Sequence, residues 1–228
     1  MRQNFRRFST SSLSNNARRA VIVDGCRIPF TTAGSAYSNY LAVDLGRFAL
    51  KGLLVKTALD PKLIDYLFFG NVIQEAKTSN IAREASLNAG IPISVPSHTI
   101  AQACISSNQC VTSGVEKILC GQADIVVAGG AETFSDVPIR FSKPIRQRLL
   151  QLPKATKKGT MAMLGLLKGL SLKDLTPEAP AIANYTTGEV MGVSSDRLSA
   201  KFGVSRHDQD EFAVRSHHNA AKAHKDGL

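Results

Sequence analysis

Short apolar runs alternate with longer amphipathic stretches along most of this chain. Ala20 to Val23 (AVIV) form the first run and read as a buried strand over 20–24. Residues 41–57 carry Leu45, Phe48, Ala49 and Leu53 at helical spacing, which predicts a helix with those side chains inward. Residues 66–69 (YLFF) give a second strand, and 80–89 a helix stopped by Gly90. From about residue 104 a further helix is predicted by Val111, Val115, Ile118 and Leu119, and 125–128 give another strand. Such alternation predicts an α/β layered fold. From 136 to about 205 the pattern loosens into Gly, Pro, Lys and Thr, as an insertion would, and 207–225 reads as a helix.

Composition narrows this picture only a little. With 228 residues and 43% of them apolar, the chain is long enough for a sizeable core and is not disordered throughout. No run of 18 apolar residues exists, so no segment reads as a membrane span. The four cysteines, at 26, 104, 110 and 120, form no C-x-x-C pair, which argues against a disulfide framework or a zinc site. The glycines at 129 and 130 match neither G-x-x-x-x-G-K nor G-x-G-x-x-G, and read as letting the chain turn tightly beside the helix that begins near 104.

Charge adds more, because the net +10 is unevenly spread. Residues 1–19 hold five arginines (2, 6, 7, 18 and 19), several serines and no acid, the character of a mitochondrial transit peptide. A basic tail for nucleic acid is the alternative. Residues 137–173 hold nine Lys or Arg and again no acid, leaving the rest of the chain mildly acidic. Within 139–173, Ile145, Leu149 and Leu150 share a helical face near Arg146 and Arg148, and 161–170 form a second apolar stretch, with Pro153 and Gly159 between the two. A basic amphipathic hairpin lying on an anionic membrane fits this pattern, and so does a solvated loop whose leucines pack on the body. Nucleic-acid binding is poorly served, since the chain has no Trp and only Phe141 lies within the basic insertion.

The candidate chemistry centres on Cys104, at the junction between an extended segment punctuated by Pro92 and Pro96 and the predicted helix. Unpaired N–H groups and the dipole at a helix start favour negative charge, which suits a thiolate nucleophile. The plainer alternative is a packed core cysteine. Ser106 and Ser107 are small enough for close packing there, and residues 124–132 (DIVVAGGAE) follow as an apolar strand ending in two glycines with an acid two residues on.

Together these segments resemble the nucleophile region of the thiolases. The resemblance extends through 21–30 (VIVDGCRIPF), 70–74 (GNVIQ), 82–92 (AREASLNAGIP), 191–198 (MGVSSDRL) and 205–216 (SRHDQDEFAVRS), and so covers the chain from about residue 20 onward. Within the thiolases, Cys-Ile-Ser-x-Asn-Gln at 104–109 and SDVPIR at 135–140 look most like the β-subunit branch of the mitochondrial trifunctional enzyme of fatty-acid oxidation. Ala101, where many thiolases have Asn, sets the chain apart from the short-chain biosynthetic members.

The resemblance implies a layered α/β/α fold divided into a transit peptide (1–19), an N-terminal core (20–136), a loop insertion with a basic hairpin (137–204) and a closing helix (205–228). It implies that the chain corresponds to roughly the first half of a thiolase, as a fragment, a truncated gene product or a short isoform. The reaction implied is acyl transfer from a 3-ketoacyl-CoA through a Cys104 thioester, with the Cys104 backbone N–H as an oxyanion donor, CoA as co-substrate and no other cofactor or metal. Met191, in the family's Met-Gly pair beside the substrate, is the expected substrate contact, with core packing as its alternative. The family takes its activating His and second Cys from the C-terminal half, so little turnover is expected of this chain alone. Implied partners are a second copy of the chain, a hydratase/dehydrogenase α subunit, and the mitochondrial inner membrane through 139–173; lysines of the insertion could also meet CoA phosphates. A non-catalytic interaction module derived from a thiolase half is the rival reading. Cys26, Cys110 and Cys120 are expected to be structural, and none of the five histidines, at 98, 207, 217, 218 and 224, is expected to serve Cys104 as base.

Overall fold

A computed structural model describes residues 18–166 and 168–227. Its centre is a three-stranded, wholly parallel sheet in the order β2-β1-β3, formed by β1 (Tyr66–Gly70), β2 (Ser97–Ile100) and β3 (Val126–Gly130). Alternation along β1 decides what each face meets. Leu67 and Phe69 point into a core with Leu50, Ile81, Ala82, Ala85, Ile91 and Val127, which lies under α1 (Ala42–Thr57) and α2 (Ile81–Ala89). Phe68 and Gly70 point the other way, toward α3 (Ser106–Leu119). The result is the expected layering of helices, sheet and helix.

Local chemistry explains where the elements begin and end. Asn80 caps α2 by accepting from the Arg83 N–H, and Gly90 ends it at φ +92°. Helix α1 turns Ala42, Leu45, Gly46 and Leu50 fully inward, while Phe48, Ala49 and Leu53 are only half-buried. Asp65 joins β1 to β3 at their amino ends, its carboxylate accepting from the N–H groups of Asp124 and Ile125 at 2.7 and 2.9 Å. Those two bonds hold its carboxyl below the usual carboxylate range.

The strand expected over 20–24 does not form. Val21, Ile22 and Val23 are exposed and belong to no ladder. An apolar run becomes a strand only where a neighbour offers free N–H and C=O groups; this segment is tied to α1 instead, Lys56 donating to Asp24 at 2.7 Å and to the Gly25 carbonyl at 2.9 Å. Of the region expected to be a transit peptide, residues 1–17 lie outside the described residues, and Arg18 pairs with Asp124 at 2.8 Å.

The described chain falls into two compact units that meet between Ala179 and Pro180. The first contains the sheet and the basic insertion, in which α4 (Lys143–Lys158) packs against α5 (Thr160–Gly165). Pro153 lies inside α4 and does not end it; the break falls at Gly159, whose φ of +103° few other residues adopt. An antiparallel bridge between Arg140 and Glu178 closes the segment, and Arg146 reaches the Glu178 carboxylate at 2.5 Å. The second unit contains α6 (Met191–Phe202) and α7 (Arg206–Lys225), the latter opened by a Ser205–Asp208 capping box. Among the described residues no helix is long and apolar enough to cross a membrane.

Candidate active site

Between the end of β2 at Ile100 and the start of α3 at Ser106 the chain reverses direction in five residues. That reversal is possible because Ala103 adopts φ +47°, a left-handed conformation that costs a non-glycine residue roughly 1–2 kcal/mol. Two backbone bonds hold the turn, Ile105 N–H to the Gln102 carbonyl at 3.3 Å and Ser106 N–H to the Ala103 carbonyl at 3.1 Å. The buried Ser106 hydroxyl doubles them, accepting from the Gln102 N–H at 2.8 Å and donating to the Ala103 carbonyl at 2.6 Å.

Cys104 stands at the apex of this turn, directly ahead of the N-cap Ile105, and it is exposed. A packed core cysteine is therefore not its role. A nucleophile on a strained strand-to-helix turn, lifted clear of the sheet, is an arrangement that other acyl-transfer folds use for serine.

Helix α3 can start this close to the sheet because of what it presents to it. Its buried positions are Ser106, Cys110 and Gly114, one small residue per turn. The sheet answers with glycine: a Cβ on Gly70 would fall 2.6 Å from the Ser107 nitrogen, and one on Gly130 would fall 2.7 Å from the Gly70 carbonyl oxygen and collide with the Ser107 hydroxyl. Gly130 thus serves close approach rather than a tight turn, since its φ is not positive. The apolar residues whose spacing predicts the helix do not supply this face: Val111 and Leu119 are exposed, and Val115 and Ile118 are half-buried. Small side chains win the inward face because a larger one would lift the helix off the sheet.

Burial separates the four thiols. Cys110 is fully buried, and burial pushes its thiol up to about 11. Cys26 and Cys120, expected to be structural, are exposed; Cys26 donates to the Ala49 carbonyl at 3.2 Å and Cys120 follows the last turn of α3.

His98 lies on β2, with Nδ1 3.0 Å from the Tyr66 hydroxyl and its ring edge-on to Phe68. Burial first, and Lys117 second, lower its pKa from the ordinary histidine value. It is committed to Tyr66, and among the described residues no side chain hydrogen-bonds the Cys104 thiol. The other four histidines are on α7, in the second unit. Met191 opens α6 in that unit and is exposed, so it is not a core residue there. A cleft of about 630 Å³ in the first unit is lined by Cys26, Phe30, Tyr37, Leu45 and Glu132 among others, and Cys104 is not part of its wall. Among the described residues no cluster of His, Cys, Asp and Glu has the arrangement of a metal site.

Sequence reasoning missed Ala103, whose conformation leaves no compositional trace, and the part Gly70 plays beneath the turn. A glycine at the carboxyl end of an apolar strand was the available signal for the latter.

A cysteine on a strand-to-helix turn, at the carboxyl edge of a parallel sheet layered between helices, is the arrangement this α/β domain presents. The family described as Thiolase, N-terminal domain, matches residues 20–228, and the chain belongs to the thiolase family. It is 50% identical over 213 residues to the Macaca fascicularis protein named Trifunctional enzyme subunit beta, mitochondrial, covering 93% of this chain and 44% of that one. It is 45% identical to a Caenorhabditis elegans Probable 3-ketoacyl-CoA thiolase, covering 97% of this chain and 49% of that one. A solved structure, the Bacillus anthracis acetyl-CoA acetyltransferase, superposes with a TM-score of 0.73 at 27% identity, covering 94% of this chain and 50% of that one. The chain thus spans about half the length of the relatives it matches.

Proposed function

We propose that this chain carries the nucleophile of a 3-ketoacyl-CoA thiolase acting in mitochondrial fatty-acid oxidation. The observation that carries the reading is the exposed Cys104 on its strained turn at the start of α3. In the proposed reaction the Cys104 thiolate attacks the keto carbon of a 3-ketoacyl-CoA, and the bond between that carbon and the acetyl unit breaks. The acetyl-CoA enolate leaves and takes up a proton, and the shortened acyl group stays on sulfur as a thioester. A CoA thiol then attacks that thioester and frees the thiolate. Sulfur suits both halves, being strongly nucleophilic and readily displaced by another thiol. The Cys104 N–H is the proposed donor to the developing oxyanion, and Met191 a substrate contact. CoA takes part as co-substrate, with no cofactor beyond it.

Turnover also needs a base at the thiol, and the described residues bring none within hydrogen-bond reach of Cys104. We infer that the base comes from elsewhere in the assembled enzyme, and that this chain alone forms the acyl-enzyme slowly without efficient turnover. The test is intact-mass analysis after incubation with an acyl-CoA. The expected product is one hydroxylamine-labile acyl group mapped to Cys104. Equal labelling of Cys104 and Cys120, or equal iodoacetamide reactivity of this pair, overturns the reading.

A mitochondrial location and pairing with a hydratase/dehydrogenase α subunit are proposed from relatives named as mitochondrial trifunctional enzyme β subunits, and self-association from the family. Peripheral membrane contact through α4 and α5 is supported by Leu150 at 79% exposure and Met161 at 81%, on helices that carry Arg146, Arg148, Lys154, Lys157 and Lys158. Flotation with anionic but not neutral vesicles, lost on deleting 139–173, is the expected result. Flotation unchanged by the deletion refutes it.

A further inference from the structure

Beneath the Cys104 turn, the side chains of Glu132 and Asn71 tie the exits of β1 and β3 together, and the Asn71 backbone carries the link on to β2. Glu132, two residues beyond β3, turns its carboxylate back across the sheet edge. Its Oε2 accepts from the Val72 N–H at 2.8 Å and the Ile73 N–H at 3.1 Å, and its Oε1 accepts from the Asn71 Nδ2 at 3.1 Å. Asn71 is itself buried, and its Nδ2 also donates to the Ala131 carbonyl at 2.9 Å. Its backbone N–H donates to the Ile100 carbonyl at 3.2 Å, and the Ala131 N–H returns to the Gly70 carbonyl at 3.1 Å. Ile100 is the last residue of β2 before the turn, and Gly70 is the residue on which the first turn of α3 rests.

We infer that Glu132 is a positioning residue for Cys104, acting through Asn71 to hold the carboxyl ends of β1, β2 and β3 in the one arrangement that seats the 101–105 turn. This rests on Cys104 being the nucleophile. A carboxylate suits the task because it accepts several N–H groups at once through charge-assisted bonds. Glutamine keeps one acceptor oxygen for Val72 and Ile73 but turns an amide donor toward the donors of Asn71. Alanine keeps nothing.

The test compares the full chain with Glu132→Gln and Glu132→Ala, reading amide hydrogen exchange and iodoacetamide kinetics across pH with Cys120 as internal reference. In Glu132→Ala the amides of Gln102, Ile105 and Ser106 should exchange roughly tenfold faster or more while those of α2 keep their protection. The ratio of Cys104 to Cys120 alkylation should fall severalfold, and Glu132→Gln should recover part of both effects. Unchanged turn amides and an unchanged ratio overturn the inference, as does equal acceleration in α2, which is plain loss of stability. Glu132→Gln, nearly isosteric, keeps the test open should the alanine variant not fold. A wild-type Cys104 no faster than Cys120 would sink the nucleophile reading, while the exchange data still decide whether Glu132 holds the turn.

Discussion

Gly70 and Ser107 touch backbone to backbone: a methyl group on Gly70 would lie 2.6 Å from the Ser107 amide nitrogen. No side chain can move aside to relieve that contact. Gly70→Ala should destabilise the protein by about 1–3 kcal/mol, the usual cost of overpacking. Urea unfolding would measure it, with Gly52→Ala, at a helix position whose nearest neighbour is the Cys26 sulfur at 3.8 Å, as the mild control.

Ala103 offers the opposite experiment. At φ +47° a β-carbon is unwelcome, so Ala103→Gly should be neutral or stabilising by up to about 1 kcal/mol. Ala103→Val should cost more than 1 kcal/mol, since branching at the β-carbon worsens the same clash. The pair of melting temperatures checks this, and valine melting at or above alanine would contradict the turn geometry.

Ser106→Ala removes a buried hydroxyl that serves both Gln102 and Ala103. A loss of about 1–3 kcal/mol is expected, from a backbone N–H left without its acceptor. Ser106→Thr, which keeps the hydroxyl, should fare better in the same denaturation experiment unless its added methyl strikes the sheet.

The elements legible in the sequence were those whose ends carry their own chemistry. Asn80 and Gly90 bracket α2 with a cap at each end, and YLFF between polar neighbours is a strand by composition alone. What escaped was set by partners distant along the chain. The AVIV run at 20–23 looks as much like a strand as YLFF does, yet a ladder needs a neighbour and it has none among the described residues. On α3 the apolar pattern revealed the helix but not the face that meets the sheet, because contact with a sheet at backbone distance selects for size before hydrophobicity. Cys104 was legible as the candidate nucleophile. Asn71 and Glu132 sat in plain view within GNVIQ and DIVVAGGAE, but their bond spans about sixty residues and no periodicity encodes it.

Histidine 98 predicts a pH dependence. Its folded pKa lies below the ordinary value of about 6.5, so between those two values the unfolded chain binds more protons than the folded one. Stability should therefore be full above about pH 6.5 and decline as pH falls toward the folded value. Denaturation curves taken from pH 8 to pH 5 should show the decline in the wild type and a weaker one in His98→Asn. Equal slopes would remove His98 as its source.

Cys110 works at the alkaline end. Its thiol titrates near about 11 in the fold, so iodoacetamide at pH 8 should leave it unmodified until denaturant is added. Peptide mass mapping would show this directly. Its contribution to stability is present below the ordinary thiol value and is lost as pH rises toward about 11.

Helix α3 meets the sheet through Ser106, Cys110 and Gly114 and turns Val111 and Leu119 outward. The two faces therefore answer to different selection. In a library of folded variants, changes along the outer face should accumulate freely, because nothing there determines the height of the helix above the strands. The inner face should remain nearly invariant in size. The thiol would then keep a fixed elevation over the sheet while the surface around it is rewritten, so reactivity and recognition are separable along a single helix.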